Sequence, residues 1–121
     1  MKKILVLIGM LAMISTMSFA DGNSCSVSGI EGAKVSLSSN NGNSNDYGQV
    51  TAYLNYYGPG KIGSVNVMVH CYTYVNGRKT WVAAKSASVS KDRGGNVTFE
   101  ERDGIEPNKA YTFELSDATC Y

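Results

Sequence analysis

The sequence has no run of charges of one sign, only one histidine, and no segment of useful length with the periodicity of an amphipathic helix. Without residues 1–20 it carries nine Lys and Arg against ten Asp and Glu, a net charge of −1. A nucleic-acid partner needs a clustered basic face. We therefore expect no nucleic-acid partner and no helical fold.

The sequence also lacks the motifs of enzymes and metalloproteins. There is no nucleophile elbow, no phosphate-binding glycine loop, and no Cys or His spacing typical of zinc. An acid–base or metal site would have to be built on His70, and the turn-rich segment 40–46 offers a calcium ion only the carboxylate of Asp46. We expect no enzyme activity, no cofactor and no metal.

Residues 1–20 have the layout of a secretory signal peptide. Two lysines precede an apolar stretch at residues 4–14, and the small residues Ser18 and Ala20 occupy the −3 and −1 positions of a cleavage site. The apolar stretch is well short of the ~20 residues that span a bilayer. We expect a cleaved leader, a secreted or periplasmic location without membrane attachment, and one domain at residues 21–121.

Composition and turn residues predict a β-protein. The segment after the leader is poor in Leu and rich in Val, Tyr, Thr, Ser and Gly. Turn clusters separate strand-like segments at residues 24–30, 33–38, 48–57, 65–75, 79–89, 96–102 and 109–117. The first two are either one kinked edge strand or a small hairpin, and residues 40–46 are predicted to be a solvated surface loop. This pattern favours an all-β, antiparallel two-sheet sandwich of six or seven strands.

The segments 65–75 and 79–89 are joined by Asn76-Gly77, which is a strong hairpin signal because both turn positions need a positive φ. In the first segment one face carries Val65, Val67, Val69, Cys71, Thr73 and Val75, and the other carries Asn66, Met68, His70, Tyr72 and Tyr74. We predict that the valine face is core. Alternation alone leaves open the reverse assignment, in which the rings are buried.

Three cysteines in an exported chain allow one disulfide and one free thiol, and counting does not separate the three pairings. Cys25 and Cys120 lie near the two ends of the segment 21–121, whereas Cys71 lies on the valine face, where a thiol behaves as a small hydrophobe. We favour a Cys25 to Cys120 disulfide with Cys71 buried and free.

The segment 104–115, GIEPNKAYTFEL, resembles the corner between strands E and F of fibronectin type III domains. Its pattern is an apolar residue, any residue, Pro, three residues and a Tyr that opens strand F, here Ile105, Pro107 and Tyr111. The Tyr hydroxyl of such a corner bonds back to the upstream backbone. The resemblance extends less specifically over residues 50–118 and implies a fibronectin type III-like or immunoglobulin-like sandwich.

The chain departs from that family in two respects. The core Trp of strand B is missing, and Tyr121 falls where the seventh strand, G, should begin. The resemblance therefore implies an edge beside strand F that is exposed, covered by the N-terminal segment, or filled by another molecule. The same topology brings the start of strand A and the end of strand F to one pole, which supports the Cys25 to Cys120 pairing.

The functional signal is the set of rings opposite the valines. Exposed aromatic side chains on a sheet stack on sugars or anchor protein partners. We predict a small exported, non-enzymatic binding or adhesion domain with a protein or carbohydrate partner. The candidate binding residues are Met68, His70, Tyr72, Tyr74 and Trp81 on the sheet, with Tyr57 and Pro59 in an adjoining loop.

Two other classes of function remain alternatives. One is a structural subunit of a surface assembly, which would self-associate through an open strand edge completed by a neighbour's strand. The other is a secreted inhibitor of a hydrolase, with the loop at residues 57–63 as its wedge.

Overall fold

The computed structural model describes residues 23–59, 63–115 and 119–120. The predicted signal peptide lies outside the described residues. The strands are β1 (Ser24–Val27), β2 (Lys34–Leu37), β3 (Asn41–Asn43), β4 (Val50–Tyr57), β5 (Val65–Val75), β6 (Arg78–Val89), β7 (Gly95–Phe99), β8 (Ala110–Leu115) and β9 (Thr119–Cys120). A short 3₁₀ helix, Glu101–Asp103, lies between β7 and β8. In this part of the chain no helix is long and apolar enough to cross a membrane.

The strands form two sheets that pack face to face. One has five strands in the order β7-β4-β2-β1-β9, and the other has four in the order β3-β8-β5-β6. Neighbouring strands run antiparallel except β1 and β9, which are parallel. The prediction of an all-β two-sheet sandwich is confirmed, and β1 with β2 forms the small hairpin that was one of two alternatives.

The prediction of a solvated loop at residues 40–46 is wrong in part, because Asn41–Asn43 forms β3. Its backbone pairs with the start of β8, with Gly42 opposite Tyr111, while the side chains of Asn41 and Asn43 stay exposed. Ladder hydrogen bonds use backbone groups only, so a strand with no buried side-chain row leaves no alternation in the sequence.

The strand β8 corresponds to the predicted strand F, for whose free edge the sequence left three alternatives. In the structure β3 covers the first half of this edge. Beyond β3, the amide of Phe113 donates to the carbonyl of Asn40 at 2.9 Å. After β8 the chain continues into β9, which joins the other sheet beside β1. The covering strand comes from residues 41–43, between β2 and β4, and the N-terminal strand β1 pairs in the other sheet, so none of the three alternatives named this segment.

The core lies between the sheets and follows the predicted alternation. Its fully buried side chains include Val35, Leu54, Val69, Val89, Phe99, Tyr111 and Phe113. Phe99 of β7 and Phe113 of β8 stack across the two sheets, with ring centroids 6.1 Å apart and an interplanar angle of 16°. This ring pair joins one sheet to the other.

The hairpin of β5 and β6 forms as predicted, with φ of 52° at Asn76 and 79° at Gly77. The valine face is core from Val65 to Thr73, so the reverse assignment of the faces is wrong. Val75 is the exception at 45 % exposure, because it lies at the tip of the hairpin, beyond the residues of β5 that pair with β8.

Residues 104–115 form the expected tyrosine corner. Tyr111 is buried, and its Oη accepts a hydrogen bond from the amide of Glu106 at 2.8 Å. The buried hydroxyl of Ser44 adds a tie that the sequence did not reveal, since its Oγ accepts from the amide of Lys109 at 2.9 Å and donates to the carbonyl of Glu106. The corner is therefore held by two side-chain hydroxyls.

We expect Tyr111→Phe to lower the free energy of unfolding by about 1 kcal/mol or more, because the amide of Glu106 loses its acceptor in a partly buried place. Urea denaturation measures the change. Tyr47→Phe is the matched control, since the Tyr47 ring is 79 % exposed. Equal losses in the two variants would mean that the corner hydrogen bond contributes nothing.

The cysteines pair as expected. A disulfide joins Cys25 to Cys120, with the Cα atoms 5.6 Å apart, and Cys71 is free and buried. Burial, aided by the negative charge of Asp103, raises the pKa of the Cys71 thiol to about 12. The thiolate, which is the reactive form, is therefore scarce at neutral pH.

We expect Cys71 to resist alkylation by iodoacetamide at pH 8 in the native protein and to react fully after denaturation in guanidinium. Mass spectrometry of the intact protein and of its peptides measures both states. Rapid labelling of the native protein, or a peptide in which Cys71 is linked to another cysteine, would contradict the assignment.

Candidate functional site

Five of the predicted binding residues lie on one surface, the outer face of the four-stranded sheet. We call this set the aromatic face: Met68, His70, Tyr72 and Tyr74 of β5 and Trp81 of β6. Tyr74 and Trp81 are 56 % and 55 % exposed, whereas Met68, His70 and Tyr72 are half-buried. The face therefore has two exposed rings, those of Tyr74 and Trp81, next to three half-buried side chains.

The register of the β5 and β6 hairpin puts Trp81 on this surface. Counted from the two-residue turn at Asn76-Gly77, the strands pair without a break as far as Tyr72 and Trp81, which therefore share a face. A β-bulge follows, with Val82 as the extra residue, and it shifts only the pairing beyond it. The turn was therefore a signal in the sequence that could have assigned the face of Trp81, whereas nothing local marks the bulge.

The Trp81 ring is held by a side-chain hydrogen bond. Its Nε1–H donates to Nδ1 of His70 at 3.0 Å, and the two ring centroids are 6.5 Å apart. Because Nδ1 accepts this bond, the proton of the neutral imidazole lies on Nε2. The His70 ring in turn lies 6.4 Å from that of Tyr72. The rings form a connected row across two strands.

An ion pair crosses the middle of the face. The ammonium of Lys79 on β6 bonds to the carboxylate of Glu114 on β8, bridging the intervening β5. Nζ of Lys79 also lies 4.6 Å from the centroid of the Tyr72 ring, which makes a cation–π contact. The hydrogen bond to Glu114 raises the pKa of Lys79 against the opposing effect of burial. Sequence reasoning missed both residues, because their meeting depends on the register of three strands.

The structure does not bring Tyr57 and Pro59 to the aromatic face. Tyr57 ends β4 on the outer side of the other sheet, opposite Lys34, and Tyr56 Oη donates to the carbonyl of Pro59 at 2.6 Å. From that end of the sandwich β5 runs roughly 30 Å before it reaches Tyr74. Residues 60–62 of the proposed inhibitory wedge lie outside the described residues.

The face offers a ligand two open rings, the Nε2–H of His70, and the donors and acceptors of the Lys79 and Glu114 pair. Within the described residues no group of three or more His, Cys, Asp or Glu side chains could hold a metal ion. The chemistry that these groups share is binding by stacking and hydrogen bonding.

No family model, curated protein or solved structure matches this chain. The aromatic face is therefore the feature of this protein from which a function can be inferred.

Proposed function

We propose that this protein is a small exported, non-enzymatic binding domain that holds a macromolecule, a protein or a carbohydrate, on its aromatic face. The observation that carries the proposal is the exposure of Tyr74 and Trp81 on neighbouring strands of one hairpin. Exposed Tyr and Trp rings bury large area on binding at small entropic cost. The disulfide fits an oxidising compartment and so supports export.

The face is ordered before any ligand arrives. The hydrogen bond to His70 holds Trp81, and the Lys79 ammonium, which is bonded to Glu114, lies over the Tyr72 ring. Side chains that are already fixed lose little rotamer freedom on association, which leaves more of the contact energy for affinity. A loop of loose side chains would lack this advantage.

We also propose that the sandwich is of the fibronectin type III or immunoglobulin-like type. The tie from Glu106 to Tyr111 supports this, as does the place of β4, β5 and β8, which stand where the resemblance puts strands B, C and F. In this arrangement β3 takes the position of strand G beside F.

The proposal is tested by adhesion of the labelled protein to immobilised polysaccharides and extracellular proteins. Tyr74→Ala and Trp81→Ala should each reduce retention at least tenfold on any surface that retains the parent. Tyr53→Ala is the matched control, because Tyr53 is 58 % exposed on the outer side of the other sheet. Loss of retention in Tyr53→Ala alone would place the binding surface there instead.

We expect Tyr74→Ala to change the free energy of unfolding by less than about 1 kcal/mol, because most surface substitutions have small effects. Tyr72→Ala should cost more, since it also removes the contact with Lys79. Thermal and urea denaturation measure both. A loss of about 3 to 5 kcal/mol in Tyr74→Ala, the cost of truncating a core ring, would contradict its place on the binding surface.

A further inference from the structure

We infer that the partner of the aromatic face is a neutral carbohydrate chain; this inference rests on the proposed function. The Trp81 ring indicates which kind of ligand surface would pack on it. Its N–H, the polar part of the indole, is already bonded to His70 Nδ1, so the ring offers a ligand mainly its apolar surface. A sugar ring has a matching patch of C–H groups on one side and hydroxyls around its rim.

The ion pair of Lys79 and Glu114 favours a sugar over a protein as the partner of this face. Lys79 and Glu114 lie at the middle of the face, partly exposed, directly beside the Tyr72 ring. The apolar centre of a protein interface would strip water from this pair without replacing its hydrogen bonds, which is costly. Sugar hydroxyls both donate and accept, so they can bond to the Glu114 carboxylate and the Lys79 ammonium together.

Beside the aromatic face, the outer surface of β5 and β6 continues with uncharged side chains, several of them polar, which fits an extended neutral chain. Along the hairpin away from its tip, Met68 pairs with Ser86, and Asn66 pairs with Ser88, whose Oγ donates to Asn66 Oδ1 at 3.2 Å. From Trp81 to Ser88, alongside Tyr72 to Asn66, this track is roughly 20 Å long. The ion pair is neutral as a unit, so the face offers an anionic glycan no excess positive charge.

At the tip of the hairpin the Tyr74 ring adds a second stacking surface. Its hydroxyl has no hydrogen-bond partner among the residues that the structure describes, so it remains available to a sugar hydroxyl. Two rings on neighbouring strands with an ion pair between β6 and β8 thus provide both the apolar and the polar contacts that a saccharide needs.

Trp81 is the single tryptophan of the chain, so its emission reports on the face directly. The experiment titrates the folded protein with cellohexaose, laminarihexaose, xylohexaose, mannohexaose, maltohexaose and chitohexaose, one at a time. At least one should change the emission saturably, and Tyr74→Ala should weaken that binding at least tenfold. Tyr53→Ala should bind as the parent does.

Glu114→Gln tests the ion pair separately, since it removes the charge while it keeps the size of the side chain. We expect at least a fivefold weaker affinity for the same hexasaccharide, with Trp81 emission of the free protein unchanged. Unchanged affinity would contradict the role of the ion pair as the polar contact of the sugar.

The outcomes separate the two proposals. If none of these sugars binds, or only an anionic one such as a hyaluronan hexasaccharide does, the inference of a neutral glycan is overturned. If retention on a protein surface is then still lost in Tyr74→Ala and Trp81→Ala, the proposed function stands with a protein partner. If every surface that retains the parent also retains both variants, the aromatic face is not the binding surface and both proposals fail.

Discussion

Replacing both Cys25 and Cys120 by Ala is expected to lower the free energy of unfolding by about 4 to 5 kcal/mol. The two residues are 95 positions apart, so the bond closes a loop that takes in nearly all of the described chain. In the chain-entropy model a longer closed loop removes more freedom from the unfolded ensemble. The expected loss is a large share of the stability of a small domain.

The structure adds a local reason for a large effect. The strand that carries Cys120, β9, has only two residues and pairs with β1 through Ser26 and Val27. Cys25 and Cys120 are both buried. Without the disulfide, two paired positions with β1 stabilise β9 only weakly. We expect β9 to separate from β1 when the bond is absent.

Urea denaturation with and without a reductant measures the effect. The double alanine variant is the internal control, because a reductant should not change its midpoint. Cys71→Ala, which removes the free thiol and leaves the disulfide intact, separates cysteine loss from bond loss. Equal midpoints for the oxidised and reduced parent protein would show that the bond contributes no stability.

The parts of the fold that could be predicted from the sequence depend on signals from neighbouring residues. Asn76 and Gly77 determine the turn, and the alternation in β5 identifies its buried face, because both are properties of a few consecutive residues. The tie from Glu106 to Tyr111 spans five positions and was predictable for the same reason.

The parts that could not be predicted depend on register between distant segments. Strands β3 and β9 pair through backbone groups and bury no regular row of side chains, so they leave no pattern in the sequence. The bulge at Val82 shifts the pairing of Ala83 and of the residues after it, yet Val82 is an ordinary residue of a β-rich run. The meeting of Lys79 with Glu114 needs the register of β6, β5 and β8 at once.

Phe113→Ala is expected to lower the free energy of unfolding by about 3 to 5 kcal/mol. The Phe113 ring is fully buried and stacks on Phe99 of the opposite sheet, so its removal leaves a cavity between the sheets. Gly42 of β3 also approaches it, since a Cβ built there would lie 3.4 Å from the Phe113 ring. The cavity would therefore open where β3 covers the edge of β8, and we expect that pairing to weaken with it.

Urea denaturation of four proteins tests this reasoning: the parent, Phe99→Ala, Phe113→Ala and the double variant. Because the two rings touch, their losses should not add, and the double variant should lose less than the sum of the single variants. Tyr53→Ala, which truncates an exposed ring on the outer side of β4, is the control and should lose little. A loss below about 1 kcal/mol in Phe113→Ala would show that this ring pair does not hold the sheets together.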